Sequence, residues 1–419
     1  MFVLAVCLLA SACALEPRNW ADFTRQLRSM DPADRSAAVE RYLAAHGGTP
    51  LVENQSRLIF VVQDVNGITP RIVDDFNAWA LRLGSGQALR QDSGQALRQG
   101  SGPASTPPGA DAPIGTPTRI DGTAWSYLES TAWTNARVEY VLLFEASDGA
   151  AKGSEARPDP LNPRLVQAYA GPHAEVRMPL WVAQPEIDNQ TAVPPGELIA
   201  ETFASRALGG TRRVWYYLPP GYDPSADTLY PVIYVLDGGN YIEKMDVPRV
   251  LDRLIASKTI VPVIAVFSEP GDRQEEYSRN PKWRAFITSE LVPLVDKRFR
   301  TFSAPDHRVI LGSSFAAYGA VDLAIEFPSV FGLCAAIAPP DQTATIVANQ
   351  PNARLAARSI RFFVLGGLYD SLIGGARRLR TTLDGADAAV TYLEVSEGHS
   401  TETFRGHLDD AIKALLAER

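Results

Sequence analysis

The chain reads as α/β: a large C-terminal domain in which strands and helices alternate, preceded by a small β-sandwich. Three observations predict this. The 419 residues exceed what one hydrophobic core usually serves. Beyond residue 196, short apolar runs alternate with segments of helical periodicity, the pattern of a buried parallel sheet. Before residue 190, strand-like runs follow one another between turn residues without that alternation.

The first domain spans 18–190. Residues 18–47 carry two helical signals. Asp31-Pro32 pairs an N-cap with a proline at the first helical position, and Val39, Tyr42 and Leu43 then recur at helical spacing. After Gly47-Gly48 the pattern changes. Residues 57–62, Arg-Leu-Ile-Phe-Val-Val, read as a strand, and Asn66-Gly67 is a turn signal. Further strands are expected at 124–129, 137–145 and 174–178. Between them, 84–118 reads as a disordered insert. Ser85-Gly-Gln-Ala-Leu-Arg-Gln91 returns as Ser93-Gly-Gln-Ala-Leu-Arg-Gln99, and a Pro/Gly/Ser/Thr-rich stretch follows. Two copies are too few for a repeat architecture, so the insert reads as a duplicated loop without chemistry.

The second domain spans 196–419, after a proline-bearing boundary at 191–196. Residues 213–218 alternate as a strand. Short apolar runs follow at 231–236, 261–267, 308–311, 333–338, 362–365 and 390–395. Val247, Val250, Leu251, Leu254 and Ile255 share one helical face, as do Phe286, Ile287, Leu291, Leu294 and Val295. Residues 405–416 read as one terminal helix, with His407 on its surface.

Composition narrows the partners. There are 40 Lys+Arg against 48 Asp+Glu, a net charge of -8, and no long basic run, so a nucleic-acid partner has no electrostatic support. Residues 1–14 form an apolar stretch of signal-peptide length, too short to span a bilayer. Ala12-Cys13-Ala14 is a small-residue cleavage site. Leu9-Ala-Ser-Ala-Cys13 also resembles a lipobox, in which Cys13 would carry a lipid anchor. Export to the periplasm, or lipid anchoring, in a Gram-negative bacterium is therefore expected. Of three cysteines, Cys7 and Cys13 belong to this leader, and Cys334 reads as a small buried hydrophobe. No disulfide framework or cysteine-based metal site follows, and the chemistry below calls for no cofactor or metal.

That chemistry centres on Gly312-Ser-Ser314-Phe-Ala316, a G-x-S-x-A between a buried strand and a helical pattern. A serine on such a tight turn needs small residues two places before and after it, and Gly312 and Ala316 meet that need. The backbone N–H of Phe315 would be one oxyanion donor. A serine also needs a base. Of five histidines, His399, in a glycine-preceded loop just past the strand at 390–395, is expected at the same sheet edge as Ser314. Asp370, following the strand at 362–365, is the carboxylate expected to orient it. Asp384, Asp387 and Glu397 fit less well. The order Ser314, Asp370, His399 is that of the α/β-hydrolases. The turn Leu236-Asp-Gly238-Gly-Asn-Tyr241 is expected to supply the second oxyanion donor, from Gly238.

The second domain resembles the esterase D-like α/β-hydrolases, and within them the enterochelin (ferric-siderophore) esterase branch. The resemblance rests on Arg213-Val-Trp-Tyr-Tyr-Leu-Pro-Pro-Gly-Tyr222, Tyr234-Val-Leu-Asp-Gly238, Gly271-Asp-Arg273-Gln-Glu-Glu276-Tyr277, Leu291-Val-Pro-Leu-Val-Asp296, Gly312-Ser-Ser314 and Gly398-His399. The first domain resembles the Ig-like N-terminal domain of that branch, through Asp75-Phe-Asn-Ala-Trp79 and Asp159-Pro-Leu-Asn-Pro-Arg164. The resemblance implies a Ser314–Asp370–His399 triad acting on a small-molecule ester, with Arg273, Glu276 and Tyr241 shaping the substrate site. It implies a catecholate siderophore ester as substrate. A feruloyl or acetyl ester on a carbohydrate is the alternative, as are an acyl transferase and an inactive homologue that only binds its ligand. Ala316, where the family has glycine, is the one feature favouring inactivity.

Overall fold

The computed structural model describes residues 17–75, 117–145, 155–168, 171–188, 191–349 and 351–416. The expected leader and lipid site, and the insert up to residue 116, lie outside the described residues. At the insert's far end the expected boundary shifts, because Thr118 already pairs with Tyr127 in a sheet.

The chain opens with helices Trp20–Ser29 and Pro32–Ala45. Each begins where a side chain takes an otherwise unpaired N–H: Asn19 accepts from Asp22 at 2.9 Å, and Asp31 from Ala33 at 3.0 Å. One antiparallel sheet contains β1 (Leu51–Glu53), β2 (Arg57–Gln63), β4 (Thr118–Arg119) and β5 (Trp125–Thr131), in the order β1-β2-β5-β4. The other contains β3 (Arg71–Asp74), β6 (Arg137–Phe144), β8 (Leu165–Ala168) and β9 (Gly171–Arg177), in the order β3-β6-β9-β8, with β7 (Glu155–Arg157) on β6. Strand β2 explains why its sequence does not alternate. Leu58, Phe60 and Val62 face Val138, Tyr140 and Leu142 of the second sheet, while Ile59 and Val61 meet Trp20, Phe23 and Tyr42 of the two helices. Both faces are covered, so both are apolar.

The second domain is built on one eight-stranded sheet: β10 (Glu197–Ser205), β11 (Gly210–Leu218), β12 (Val232–Leu236), β13 (Ile264–Ser268), β14 (Arg308–Ser313), β15 (Leu333–Ile337), β16 (Arg361–Gly367) and β17 (Ala389–Val395). Their order is β10-β11-β13-β12-β14-β15-β16-β17. β10 and β11 form an antiparallel hairpin, β11 lies antiparallel to β13, and β12 to β17 run parallel. This is the strand order expected of an α/β-hydrolase. Val232, Tyr234 and Leu236 enter the core on one face, and Ile233 and Val235 that on the other, so β12 reads as a continuous apolar run. The order reverses around β12: β13 lies on one side of it and β14 on the other. In an open parallel sheet this places a crevice at the carboxyl ends of β12 and β14.

The two domains meet along a charged seam beside β17. Arg137, at the start of β6, donates from Nη2 to Glu397 Oε2 at 2.7 Å and to the Glu402 carbonyl at 2.8 Å. All three side chains are buried. His407 corrects an expectation. The terminal helix is not continuous but divides into Thr401–Gly406 and Leu408–Leu416. His407 lies in the break with its side chain turned inward, Nδ1 at 2.9 Å from Asp410 and Nε2 at 3.5 Å from Glu397. The inward side chain is matched by these two carboxylates, and Gly406 leaves room beside it for the guanidinium, since a Cβ there would stand 2.7 Å from Arg137 Nη2.

Burial alone would lower the His407 pKa, but its hydrogen bond to Asp410 and the neighbouring carboxylates of Glu397 and Asp410 raise it from 6.5 to about 9. Burial likewise opposes the charge of Glu397, yet Arg137 and His407 outweigh it and bring the carboxyl from 4.5 down to about 2. A raised histidine contributes stability that is complete below its unfolded pKa and disappears as pH rises through the folded one. A depressed carboxyl contributes above its unfolded pKa and loses its share as pH falls. The seam is therefore strongest between roughly pH 4.5 and 6.5, with a His407 contribution on the order of 3 kcal/mol. Thermal unfolding of wild type and His407→Gln should differ most at pH 6 and converge toward pH 9.5. A difference that stays constant over that range contradicts the assignment.

Candidate active site

Ser314 sits between β14 and the helix Phe315–Glu326, with φ 56° and ψ -131°. A non-glycine residue in this conformation is strained. The chain must turn from strand to helix within one residue, and it is held there by hydrogen bonds on both sides. The Ser314 N–H donates to the Ile337 carbonyl at 2.9 Å, and the Ser314 carbonyl accepts from the Ala317 N–H at 2.9 Å. Gly312 lies so close to the helix that a Cβ would collide with the carbonyl of Ala316.

The structure brings together the three residues expected to form a triad. His399 Nε2 stands 3.0 Å from Ser314 Oγ, and His399 Nδ1 stands 2.8 Å from Asp370 Oδ2. An ionised carboxylate only accepts, so Nδ1 carries the proton and Nε2 is left to accept from the serine hydroxyl. Asp370 follows β16 and is almost fully buried. Its second oxygen accepts from the Leu372 N–H at 2.8 Å, so both carboxylate oxygens have partners. The His399 ring packs edge-on against Phe404 at 5.1 Å. The remaining histidines are occupied elsewhere: His46 with the Tyr42 carbonyl, His173 with Glu139, and His307 against Phe302. Of the competing carboxylates, Asp384 pairs with Arg380, Asp387 with Arg358 and Glu397 with Arg137.

Across the crevice, the turn after β12 packs tightly on β13. A Cβ on Gly238 would stand 2.8 Å from the Phe267 carbonyl carbon. Three of the four N–H groups from 237 to 240 are taken. Asp237 donates to Tyr277 Oη at 3.0 Å, Gly239 to Glu269 Oε2 at 2.6 Å and Asn240 to the Asp237 carbonyl at 3.0 Å. Neither the Gly238 N–H nor the Phe315 N–H has a hydrogen-bond partner among the described residues. These are the two donors that the sequence singled out.

The expected substrate residues separate. Arg273 is at the site. Its Nε and Nη2 hold the Asp237 carboxylate at 2.6–2.9 Å, and its guanidinium lies 5.9 Å from the Phe315 ring. Glu276 is not at the site: it is buried, pairs with Arg212, and accepts from the Gly271 N–H at 3.1 Å. Its charge is already matched by an arginine on β11, which removes it from substrate contact. Tyr241 is fully buried in the core with Val235, Met245 and Phe267, because the helix that follows Gly238 turns it beneath the sheet edge. Both expectations are thus corrected. Three residues were missed: Asp237, Tyr277 and Glu269, which together fix the turn around Gly238. The Leu-Asp-Gly motif contained the first and the Arg-x-x-Glu-Tyr block the second. Glu269 had no signal, since its role is set by the neighbouring strand.

Cys334 is buried, and burial pushes its thiol well up, as suits a packing residue. No group of three or more His, Cys, Asp or Glu side chains able to hold a metal occurs among the described residues. Nor is any described helix long and apolar enough to cross a membrane.

Residues 205–412 match the family described as putative esterase. The chain is 26% identical over 144 residues to the uncharacterized protein YjcH of Bacillus subtilis, which covers 33% of this chain and 59% of that protein. It is 30% identical over 134 residues to Esterase Rv1288 of Mycobacterium tuberculosis, covering 30% of this chain and 28% of that one. The match thus spans less than two thirds of either curated relative. Among solved structures, the ferric enterobactin esterase of Salmonella typhimurium aligns with a TM-score of 0.68 at 19% identity, over 90% of this chain and 98% of that one. This last likeness is one of fold and covers both domains.

The elbow geometry makes Gly312 and Ala316 unequal. The tight contact at Gly312 is with the backbone of Ala316, not with its methyl group. Gly312→Val should destabilise the protein by more than about 3 kcal/mol in urea unfolding, since backbone stands in its way. Ala316→Gly should cost up to about 1 kcal/mol and change ester turnover less than about fivefold. A rise in turnover by orders of magnitude would show that the native methyl impairs the elbow.

Proposed function

We infer, from a chain whose residues 205–412 belong to the putative-esterase family, that the protein is a serine esterase. The observation that carries this is the continuous hydrogen-bonded path from Asp370 through His399 to Ser314 Oγ, at a strained strand-to-helix turn. Ser314 Oγ attacks the ester carbonyl as His399 Nε2 takes its proton. The negative charge that forms on the carbonyl oxygen is received by the N–H groups of Gly238 and Phe315. Asp370 keeps the proton on Nδ1 and stabilises the imidazolium. Collapse of the intermediate returns that proton to the departing alcohol and leaves an acyl-enzyme on Ser314. Water, activated by the same Nε2, then releases the acid.

The substrate proposed is a catecholate siderophore ester. Two supports converge on it: the motifs quoted from both domains, and a two-domain fold shared with the ferric enterobactin esterase over nearly its whole length. The Ig-like reading of the first domain and export through residues 1–14 belong to the same proposal. Ala316, which favoured an inactive binding homologue, weighs less once His399 is seen within hydrogen-bond reach of Ser314.

A fluorophosphonate probe should label the wild-type protein at one serine, and Ser314→Ala should abolish labelling. Asp370→Asn should retain the fold and lower kcat by on the order of 10³–10⁴, the scale expected when the imidazole loses its orienting carboxylate. Labelling that survives Ser314→Ala would remove the reading. A panel of catecholate, feruloyl and short-chain aryl esters, ranked by kcat/KM, tests the substrate class.

A further inference from the structure

The loop that presents His399 is gripped by the first domain at each of the three residues that precede it. The Ser396 carbonyl accepts from the backbone N–H of Arg137 at 3.0 Å. The Glu397 carboxylate accepts from Arg137 Nη2 at 2.7 Å, with the Trp181 indole 3.5 Å away on its other oxygen. Gly398 lies directly against the carboxylate of Asp75, so closely that a Cβ would overlap it. Asp75 is itself fixed, accepting from the Glu139 N–H at 2.7 Å.

The Asp370 loop is held from the same side. The Trp133 N–H, in the turn between β5 and β6, donates to Tyr369 Oη at 2.9 Å, one residue before Asp370. The Tyr369 N–H in turn donates to the Glu397 carbonyl at 3.0 Å, tying the two loops together. Within the second domain, the described supports of the 396–399 loop are Thr403 Oγ1 on the Gly398 carbonyl at 3.0 Å, His407 Nε2 at 3.5 Å from Glu397, and Asp370 and the Phe404 ring on His399 itself.

Resting on the serine-esterase reading, we propose that Arg137 is a positioning residue for His399. The first domain is then a working part of the catalytic apparatus and not an appended module. The guanidinium joins the 396–399 loop to the Thr401–Gly406 helix by bonding Glu397 and the Glu402 carbonyl at once. It thereby sets where the loop leaves β17. His399 must meet Ser314 Oγ and Asp370 Oδ2 together, and a displacement of about 1 Å at a reacting group costs about 100-fold in rate. Arg137 touches neither the substrate nor the reacting atoms, so its removal acts through the imidazole.

The test uses the full chain, an aryl ester and the fluorophosphonate probe. Arg137→Met keeps most of the side-chain volume and removes the charge. With folding checked by circular dichroism, its kcat per labellable serine should fall about 100-fold while KM changes less than about threefold, the split expected when only the transition state is affected. Arg137→Lys, which keeps a charge but not the fork, should recover at least about tenfold of that loss. Gly398→Ala, which leaves Arg137 in place and pushes the loop off Asp75, should lower kcat in the same way, and it decides the matter if Arg137→Met does not fold. Wild-type kcat per labelled site in a folded Arg137→Met or Gly398→Ala overturns the proposal. Absence of labelling and turnover in the wild type would instead overturn the esterase reading beneath it.

Discussion

The backbone of Ser314 is the constraint on which the site depends. A serine at φ 56°, ψ -131° costs about 1–3 kcal/mol relative to a relaxed conformation, so its surroundings must impose it. They do so from both sides. Strand β14 is locked between β12 and β15 in parallel register, and the Ser314 N–H completes the ladder to Ile337. The helix that follows is drawn onto Gly312 with no room for a side chain. Strand and helix are each anchored in an apolar core, and the strain is confined to the residue that joins them. The result is a hydroxyl projecting at the crevice, with the first N–H groups of a helix directly behind it.

The turn facing Ser314 presents an electrostatic difficulty. Asp237 is buried immediately before Gly238, and a bare carboxylate there would oppose any negative charge forming on a bound carbonyl. Arg273 removes the conflict by bonding both carboxylate oxygens, and Tyr277 adds a further hydrogen bond at 3.0 Å. Burial, followed by the charge of Asp237, raises the Tyr277 phenol well above its ordinary value, so it remains protonated and can donate. Asp237 itself adopts a left-handed conformation, with φ 57° and ψ 42°. The Gly238 N–H that follows has no hydrogen-bond partner among the described residues. Arg273 therefore neutralises a buried charge directly beside the donor that faces Ser314.

Much of this was legible in sequence because it follows from local rules. The strand–helix alternation, the small residues around Ser314 and the order of Asp370 and His399 each reflect a period, a turn or a sheet edge. Contacts between distant segments were not legible. Tyr241 and Glu276 occur in the right motifs, but the helix after Gly238 carries one into the core and an arginine on β11 takes the other. His407 looked like a surface residue on a terminal helix because periodicity has no access to Arg137, 270 residues earlier in the chain. An arginine from the first domain packs against Gly406 where the helix is interrupted, and nothing in the local pattern anticipates it.

That arginine also explains why the seam is charged where an apolar one would be simpler. A buried ion pair gains little net stability, since desolvation offsets most of the attraction. An apolar interface of the same size would hold the domains together at least as well. It would tolerate small slips, however, because apolar contacts are nearly indifferent to direction. A fork-shaped guanidinium bonded to a carboxylate and a carbonyl does not tolerate them: a shift of an ångström leaves buried charges unpaired. Since the carboxylate of Glu397 lies two residues from His399, a penalty on slippage at the seam is a penalty on misplacing the imidazole. The charge at this interface thus fixes position, and it does so at the loop where position matters most.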